Sequence, residues 1–421
     1  MNANTLVFLL EKYAFVIVVL FCFGFFAPDL TPKAGMMAND SASVTEKMSG
    51  SNLKKQVFWL FLFSFFMWRF LQHNIFTKHK LHMLGILIFM SGGLALISSL
   101  WSEYPALTIK RAFFQVVFCF TVVNSFYFAH KHDVVEKSLF LGGTLIVGLI
   151  AFTILTGVAF QSGGNLAGFS AGKNLLGQNL VVFIALLVLQ IKLFGQRLPY
   201  THWLIAVLFL FLLLTVSKTS ISLVIFFLLI GHTHLFITKS VTNTVFALSL
   251  ITFIFIPPLS YYLGDYIHVG LYLEPDAITG RGIIWDTLYY DLQYFSKLLF
   301  GYGYGAYFSN GTVPHFFDDD WSFLKHITSP HNGYLDILIQ YGIAFSLVLV
   351  PCLYKLTSGI KHSWLSAAFL IPVVYNLTES AFLRDQSMMW CLAVILLSYV
   401  VIMKEENIKI KQIEDLNELH T

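Results

Sequence analysis

YTHWLIAVLFLFLLLTVSKTSISLVIFFLLIGHTHLFIT, residues 200–238, is the stretch on which the fold turns. Two apolar runs flank Ser217-Lys218-Thr219. Read as one helix, they are far longer than a bilayer core of about 30 Å requires. Read as two, 200–216 and 220–238, they form a hairpin. The choice decides on which side of a membrane every later residue lies.

Outward from this pair, further apolar stretches recur near 8–28, 56–72, 82–101, 112–129, 138–157, 176–194, 243–263, 334–354, 364–377 and 387–403. With the hairpin reading, the chain is expected to be an all-α polytopic membrane protein of about twelve transmembrane helices. Composition agrees. Of 421 residues, 57% are hydrophobic and 12% charged, and mean hydropathy is +0.72. Soluble domains carry about 25% charged residues, so an ordinary soluble enzyme is excluded. The net charge of +3 says little about partners, and no basic block points to nucleic acid. Cys22, Cys119, Cys352 and Cys391 lie inside apolar runs without metal or redox spacing and read as small buried hydrophobes. The first run lacks a clear small-residue cleavage site before the polar stretch beyond Pro28, so it reads as a retained helix. Pro372 interrupts a short stretch, tolerable where protein or a water-filled cavity satisfies the freed backbone.

Charge orients the spans. With a cytoplasmic N-terminus, the inner loops carry Lys78 and Lys80, Lys131 and Lys137, Lys192 and Arg197, Lys239, and Lys355 and Lys361. The tail adds Lys404, Lys409 and Lys411, and this is the positive-inside pattern. Residues 1–263 then hold nine helices, 264–333 a large periplasmic loop with short helices, 334–403 three more helices, and 404–421 a cytoplasmic tail. In the loop, carboxylates outnumber Lys and Arg by eight to three. The outer side nevertheless carries cations at the membrane edge: Lys110-Arg111, Lys173, Lys218, Arg281 and Arg384. Such cations are costly and mark function, although each alone is also explained by snorkelling to lipid head groups. As a group they read as an electropositive cup for a clustered anion such as a lipid pyrophosphate.

The loop holds the most chemical-looking motifs. In Ser329-Pro330-His331-Asn332-Gly333-Tyr334-Leu335, a neutral imidazole at a helix start can take a hydroxyl proton near neutral pH. A cap or interfacial residue is the plainer alternative. In Thr279-Gly280-Arg281, followed by Ile284-Trp285, a guanidinium suits two-point contact with phosphate oxygens. Gly301-Tyr302-Gly303-Tyr304-Gly305 offers rings for sugar stacking, or simply a structural turn. Asp318-Asp319-Asp320 reads as a solvated acidic loop, because no further ligand spacing supports a metal. No phosphate-cradling glycine loop suggests a nucleotide-sugar donor.

From Leu100 to about Arg384, the ordered set of motifs resembles the O-antigen ligase and polysaccharide polymerase superfamily of bacterial inner-membrane glycosyltransferases. Trp101-Ser102-Glu103-Tyr104-Pro105, with Thr108 and Lys110-Arg111, looks like the early outer-loop motif of its exopolysaccharide-polymerase branch. Gly168-Phe169 with Lys173-Asn174 and Gly177 matches a second motif, with Gly172 where the family often has His. Ser217-Lys218-Thr219 matches the segment where ligases usually carry Arg, and Lys is common in the polymerase-like branch. The Arg281, Gly301–Gly303 and His331 motifs follow in the family's order, then Asn376-Leu377-Thr378-Glu379-Ser380. Ligases also tend to show a glycine pair after the His helix start; here Gly342 is present and the later position is Phe345.

The resemblance implies a polytopic (GT-C-like) glycosyltransferase that uses a glycan on undecaprenyl pyrophosphate, with metal-independent, inverting transfer at the outer face and no cofactor. It implies that His331 acts on the acceptor hydroxyl. Arg281 and Lys218, helped by Arg111 and Lys173, would hold the pyrophosphate. Asn332, Tyr334 and Glu379 would contact sugar, and Arg384 would join the substrate-binding set. A polymerase passes the chain to another lipid-linked repeat unit, with a chain-length regulator protein as an expected partner. A ligase passes it to lipid A–core or a protein. Lys218 and the Trp101–Pro105 motif favour the polymerase. A flippase for lipid-linked sugars would need similar cations, but the one-sided loop and the lack of an inverted repeat weigh against it.

Overall fold

The computed structural model describes residues 3–33, 53–72, 77–195, 198–233, 239–263, 281–308, 329–358, 360, 362–384 and 387–419. Thr279-Gly280 and Asp318-Asp319-Asp320 lie outside these residues, as does most of the large loop. The described chain is helical, with no strand and one isolated antiparallel bridge, Phe160 to Leu166. Helices follow from the solvent: in hydrocarbon, every backbone N–H and C=O must find its partner within the segment.

In order, the helices are α1 (Ala3–Phe23), α2 (Leu53–Gln72), α3 (Lys78–Leu100), α4 (Pro105–Lys131), α5 (Val135–Leu155), α6 (Lys173–Phe194) and α7 (Thr201–Leu214). They continue as α8 (Lys218–Thr233), α9 (Lys239–Leu263), α10 (Arg281–Tyr294), α11 (Gly333–Thr357), α12 (Ser363–Tyr375) and α13 (Met388–Leu419). Among the described residues, seven regions are long and apolar enough to cross a membrane: Asn4–Phe23, Lys78–Leu100, Pro105–Lys131, Val135–Leu155, Lys173–Phe194, Gly333–Thr357 and Met388–Glu405. Thr201–Leu214, Lys218–Thr233, Asn243–Phe255 and Ser363–Tyr375 are apolar but shorter. The protein is thus an all-helical, membrane-embedded one. Its interior is built chiefly from α4, α6 and α13, which are buried on nearly all sides.

Residues 200–238 form two helices. The α7 helix ends at Leu214, α8 begins at Lys218, and between them Val216 takes a left-handed backbone with φ 52°. A β-branched residue there is a true outlier and stops a helix. Both helices pack on α6, and α8 packs on α12 as well. Gly177 of α6 lets Ser217 and Ser220 approach so closely that a Cβ would lie 2.8 Å from the Ser220 hydroxyl. At the other end of α8, Gly231 sits against the Trp364 ring of α12.

These contacts belong to a general sorting of the connections into two ends of the bundle. At one end, Lys80 Nζ meets Glu405 at 2.8 Å, Arg69 and His132 share Glu11, and Leu198 N–H donates to Glu136 at 3.0 Å. At the other, Leu166 N–H donates to Leu214 O at 2.9 Å and Trp101 Nε1 to Phe300 O at 2.6 Å. Tyr304 Oη reaches Leu383 O at 2.6 Å there, and Lys33, fully buried, donates to Asp29 O and Gly168 O.

Helix α11 is broken. Gly342 (φ 62°, ψ −175°) leaves the helical region, and the chain 298–303 runs into the gap. Tyr302 and Gly303 donate to the carbonyls of Ile339 and Gln340 at 2.8 and 3.1 Å, while Ile343 and Ala344 donate to Leu298 and Leu299 at 2.9 and 3.0 Å. Protein backbone thereby satisfies the groups that the break frees, the condition under which an interrupted helix is tolerated. The Gly301–Gly305 turn is therefore structural. Its Tyr302 and Tyr304 rings are buried, with hydroxyls donating to Asp291 O and Leu383 O.

Candidate functional site

The turn after α12, residues 376–379, is the point on which the site converges. Asn376 ends the helix and its side-chain oxygen accepts from Ala381 and Phe382, while its carbonyl accepts from Gly333 N–H at 2.7 Å. That last bond brings the start of α11 to the turn. There Asn332 is the N-cap: its Oδ1 accepts from Tyr334 and Leu335, and its Nδ2 donates to Leu377 O at 3.0 Å. An Asn cap is favoured because its side chain satisfies N–H groups that the first turn leaves open.

Arg281 begins α10 and reaches the same turn, with Nη1 donating to Thr378 O at 2.5 Å and Nη2 to Glu379 Oε1 at 2.9 Å. Four residues on, and so on the same helix face, Trp285 Nε1 donates to Pro330 O at 2.9 Å. The two anchors of α10 thus straddle His331. The other oxygen of Glu379 receives His331 Nδ1 at 2.9 Å. His331 holds a left-handed backbone, φ 50°, and its side chain is 42% exposed. A non-glycine residue kept in that conformation costs about 1–3 kcal/mol, and such positions cluster at functional sites.

Burial alone would raise the Glu379 pKa. The hydrogen bond and charge of His331, with the Arg281 guanidinium, outweigh it and hold the carboxyl below its usual range. An ionised Glu379 favours a proton on Nδ1, so that in the neutral form of the imidazole Nε2 is the lone-pair nitrogen.

Lys173 and Lys218 arrive by packing. Gly177 against Ser217 and Ser220 places the starts of α6 and α8 side by side, and Tyr375 Oη donates to Gln178 Oε1 at 2.7 Å, tying both to the end of α12. Two of these helices begin with a cation, Lys173 for α6 and Lys218 for α8, and Arg281 is the first described residue of α10. None of the three has an acidic residue in its first turn. A cation at the positive end of a helix dipole is unfavourable by about 0.3–1 kcal/mol. Two such ends, with the Arg281 guanidinium on the same turn, make a site suited to an anion. Glu379 compensates Arg281, whereas among the described residues neither lysine meets a carboxylate.

The remaining expected residues are placed differently. Arg111 lies within the second turn of α4, not in a loop, because Pro105 at the first helical position starts that helix early. Its guanidinium donates to Gly305 O and to Phe308 O at 3.0 Å. Arg384 pairs with buried Asp336 at 2.8 Å. Tyr334 is fully buried, with Oη on Val373 O at 2.9 Å and its ring stacked with Phe253. Among the described residues, no group of three or more His, Cys, Asp or Glu converges on a metal-sized position. Sequence reasoning missed the joint hold of Glu379 on Arg281 and His331, and the tie from Tyr375 to Gln178. Comparison with family models, curated proteins and solved structures finds no match for this chain.

Proposed function

We propose that the protein is a glycosyltransferase of the bacterial inner membrane that takes a glycan from undecaprenyl pyrophosphate to an acceptor sugar hydroxyl at the periplasmic face. The observation that carries this reading is the meeting of the Lys173 and Lys218 helix starts and of Arg281 with a histidine hydrogen-bonded to Glu379. The resemblance to the O-antigen ligase and polysaccharide polymerase superfamily supplies the substrate class.

In this mechanism His331 Nε2 accepts the proton of the acceptor hydroxyl, and the freed oxygen attacks the anomeric carbon. The bond from that carbon to the pyrophosphate oxygen breaks, with inversion. Lys173, Lys218 and the remaining N–H groups of Arg281 stabilise the charge that develops on the leaving pyrophosphate, where preorganised donors are most effective. Glu379 stays ionised and stabilises the imidazolium. Arg111 and Arg384 act through structure, one fixing the Gly305–Phe308 turn and the other Asp336. We favour polymerisation of lipid-linked repeat units on Lys218 and the Trp101–Pro105 motif.

The test is purified protein with a defined lipid-linked repeat unit, with and without lipid A–core. Growth of polymer from the repeat unit alone supports polymerisation; transfer only when lipid A–core is added assigns ligation. Arg281→Ala should lower either activity by about 10²-fold or more while the protein stays in the membrane, and Arg281→Lys should recover part of it. Wild-type turnover by Arg281→Ala would remove the site assignment.

A further inference from the structure

A furrow runs along the flank of the bundle between α3 and the last turns of α11, far from the turn at 376–379. Its volume is about 440 Å³, within the usual range of small-molecule sites, about 300–1,000 Å³. The lining changes character along its length. His82 and Lys355 stand where α3 begins and α11 ends, at the end of the bundle that carries Lys80 and Glu405. Phe89, Pro351 and Cys352 continue it toward the middle of the two helices. Gly85 forms the floor, and a Cβ built there would meet nothing within 4 Å. The missing side chain is what keeps the furrow open.

The charge pattern selects the occupant. Among the described residues, neither His82 nor Lys355 has a carboxylate partner, and Glu405 is taken by Lys80. Two nitrogen donors at one end and an apolar channel parallel to the helices match a molecule with an anionic head and a hydrocarbon chain. A free phosphate would leave the apolar length unused. A neutral lipid would leave the lysine without a counter-charge. Both flanking helices are long and apolar enough to cross a membrane, so the furrow opens to bilayer lipid.

We propose that this furrow holds an anionic phospholipid of the surrounding bilayer, with its phosphate between Lys355 and His82 and one acyl chain along Gly85, Phe89 and Cys352. The proposal is independent of the glycan-transfer reading, because it uses no residue of that site.

The full chain, purified in neutral detergent, is titrated with phosphatidylglycerol, diacylglycerol or inorganic phosphate. Native mass spectrometry reads retention, and an apolar maleimide reads access to Cys352, which is half-buried while the other three cysteines are buried. Phosphatidylglycerol should stay bound and slow Cys352 labelling. Diacylglycerol, which lacks the phosphate, should bind about tenfold more weakly, the usual effect of losing a charge-assisted contact, and inorganic phosphate should do neither. His82→Gln with Lys355→Gln should weaken phosphatidylglycerol by about the same tenfold. Gly85→Leu should block it while leaving the lipid-free thermal midpoint unchanged or higher, since leucine is the better helix former. Equal retention of the two lipids, protection by phosphate alone, or wild-type retention by the double variant would overturn the proposal. The double variant decides the matter even if Gly85→Leu does not fold.

Discussion

Glu379 divides its two oxygens between Arg281 and His331, and its neighbours keep it ionised. Replacing it with glutamine keeps the shape but lets an amide N–H face Nδ1, which favours the imidazole tautomer with the proton on Nε2. That tautomer cannot take a hydroxyl proton. We expect Glu379→Gln to lower turnover by about 10²–10⁴-fold, the span for a positioned general base, with a smaller change in KM. The same substitution has a signature in stability. The folded carboxyl sits below its unfolded value, so its contribution is complete above about pH 4.3 and fades as pH falls through the lower folded value. Thermal midpoints in detergent should therefore drop less steeply toward acid in Glu379→Gln than in the wild type. Parallel acid limbs would show that the carboxyl is not held low by its partners. Arg281 and His331 were legible in the sequence as polar motifs of the large loop, and Glu379 only through the family resemblance of its segment. Their pairing was not, because the partners lie 98 and 48 positions apart and no local pattern links them.

Helix α11 shows how an element can be read correctly in extent and missed in shape. Its apolar run is continuous through Gly342, so hydropathy reports one span. The break is made by the chain 298–303, some forty positions earlier, whose backbone fills the gap. A Cβ at Gly342 would lie 2.3 Å from the Leu299 carbonyl carbon, and one at Gly301 2.6 Å from Ile339 O. Gly342→Ala should therefore cost at least about 2 kcal/mol, from the left-handed dihedral together with a clash against backbone that cannot yield. Gly148→Ala in α5 is the control: a Cβ there meets nothing within 4 Å, and the change should be neutral or stabilising by up to about 1 kcal/mol. Thermal midpoint and monodisperse yield in detergent read both, and equal behaviour of the two variants would mean that the break is not needed. Helix starts shifted for a related reason. Apolar counting marks hydrocarbon thickness, whereas the hydrogen-bonded helix runs on into Lys110, Lys173 and Lys218, polar residues that look like loop.

Across the whole molecule, the connections gather at two ends. One carries the contacts of Lys80, Arg69 and Glu136, the other the convergence on Glu379. The break at Val216 sets this parity: Thr201 at the start of α7 meets Glu136, and Trp364, beside Gly231 at the far end of α8, meets Lys192, so the chain 201–233 runs out and back between the two ends. The apolar helices were legible from hydropathy; the meeting of the helix starts at one turn was not, because it depends on packing. The architecture and its orientation can be tested together. Cys352→Ala removes the partly exposed thiol and leaves three buried ones. On that background, Ser162→Cys reports the end that holds Glu379, and Lys131→Cys reports the opposite end; both positions are exposed. If the site faces the periplasm, a membrane-impermeant maleimide should label Ser162→Cys in intact spheroplasts and Lys131→Cys only after permeabilisation. The reverse result would invert the orientation and place His331 on the cytoplasmic side, where a periplasmic glycan transfer is impossible. Labelling of both in intact spheroplasts, with a cytoplasmic marker still protected, would put the two ends on one side and overturn the two-ended bundle itself.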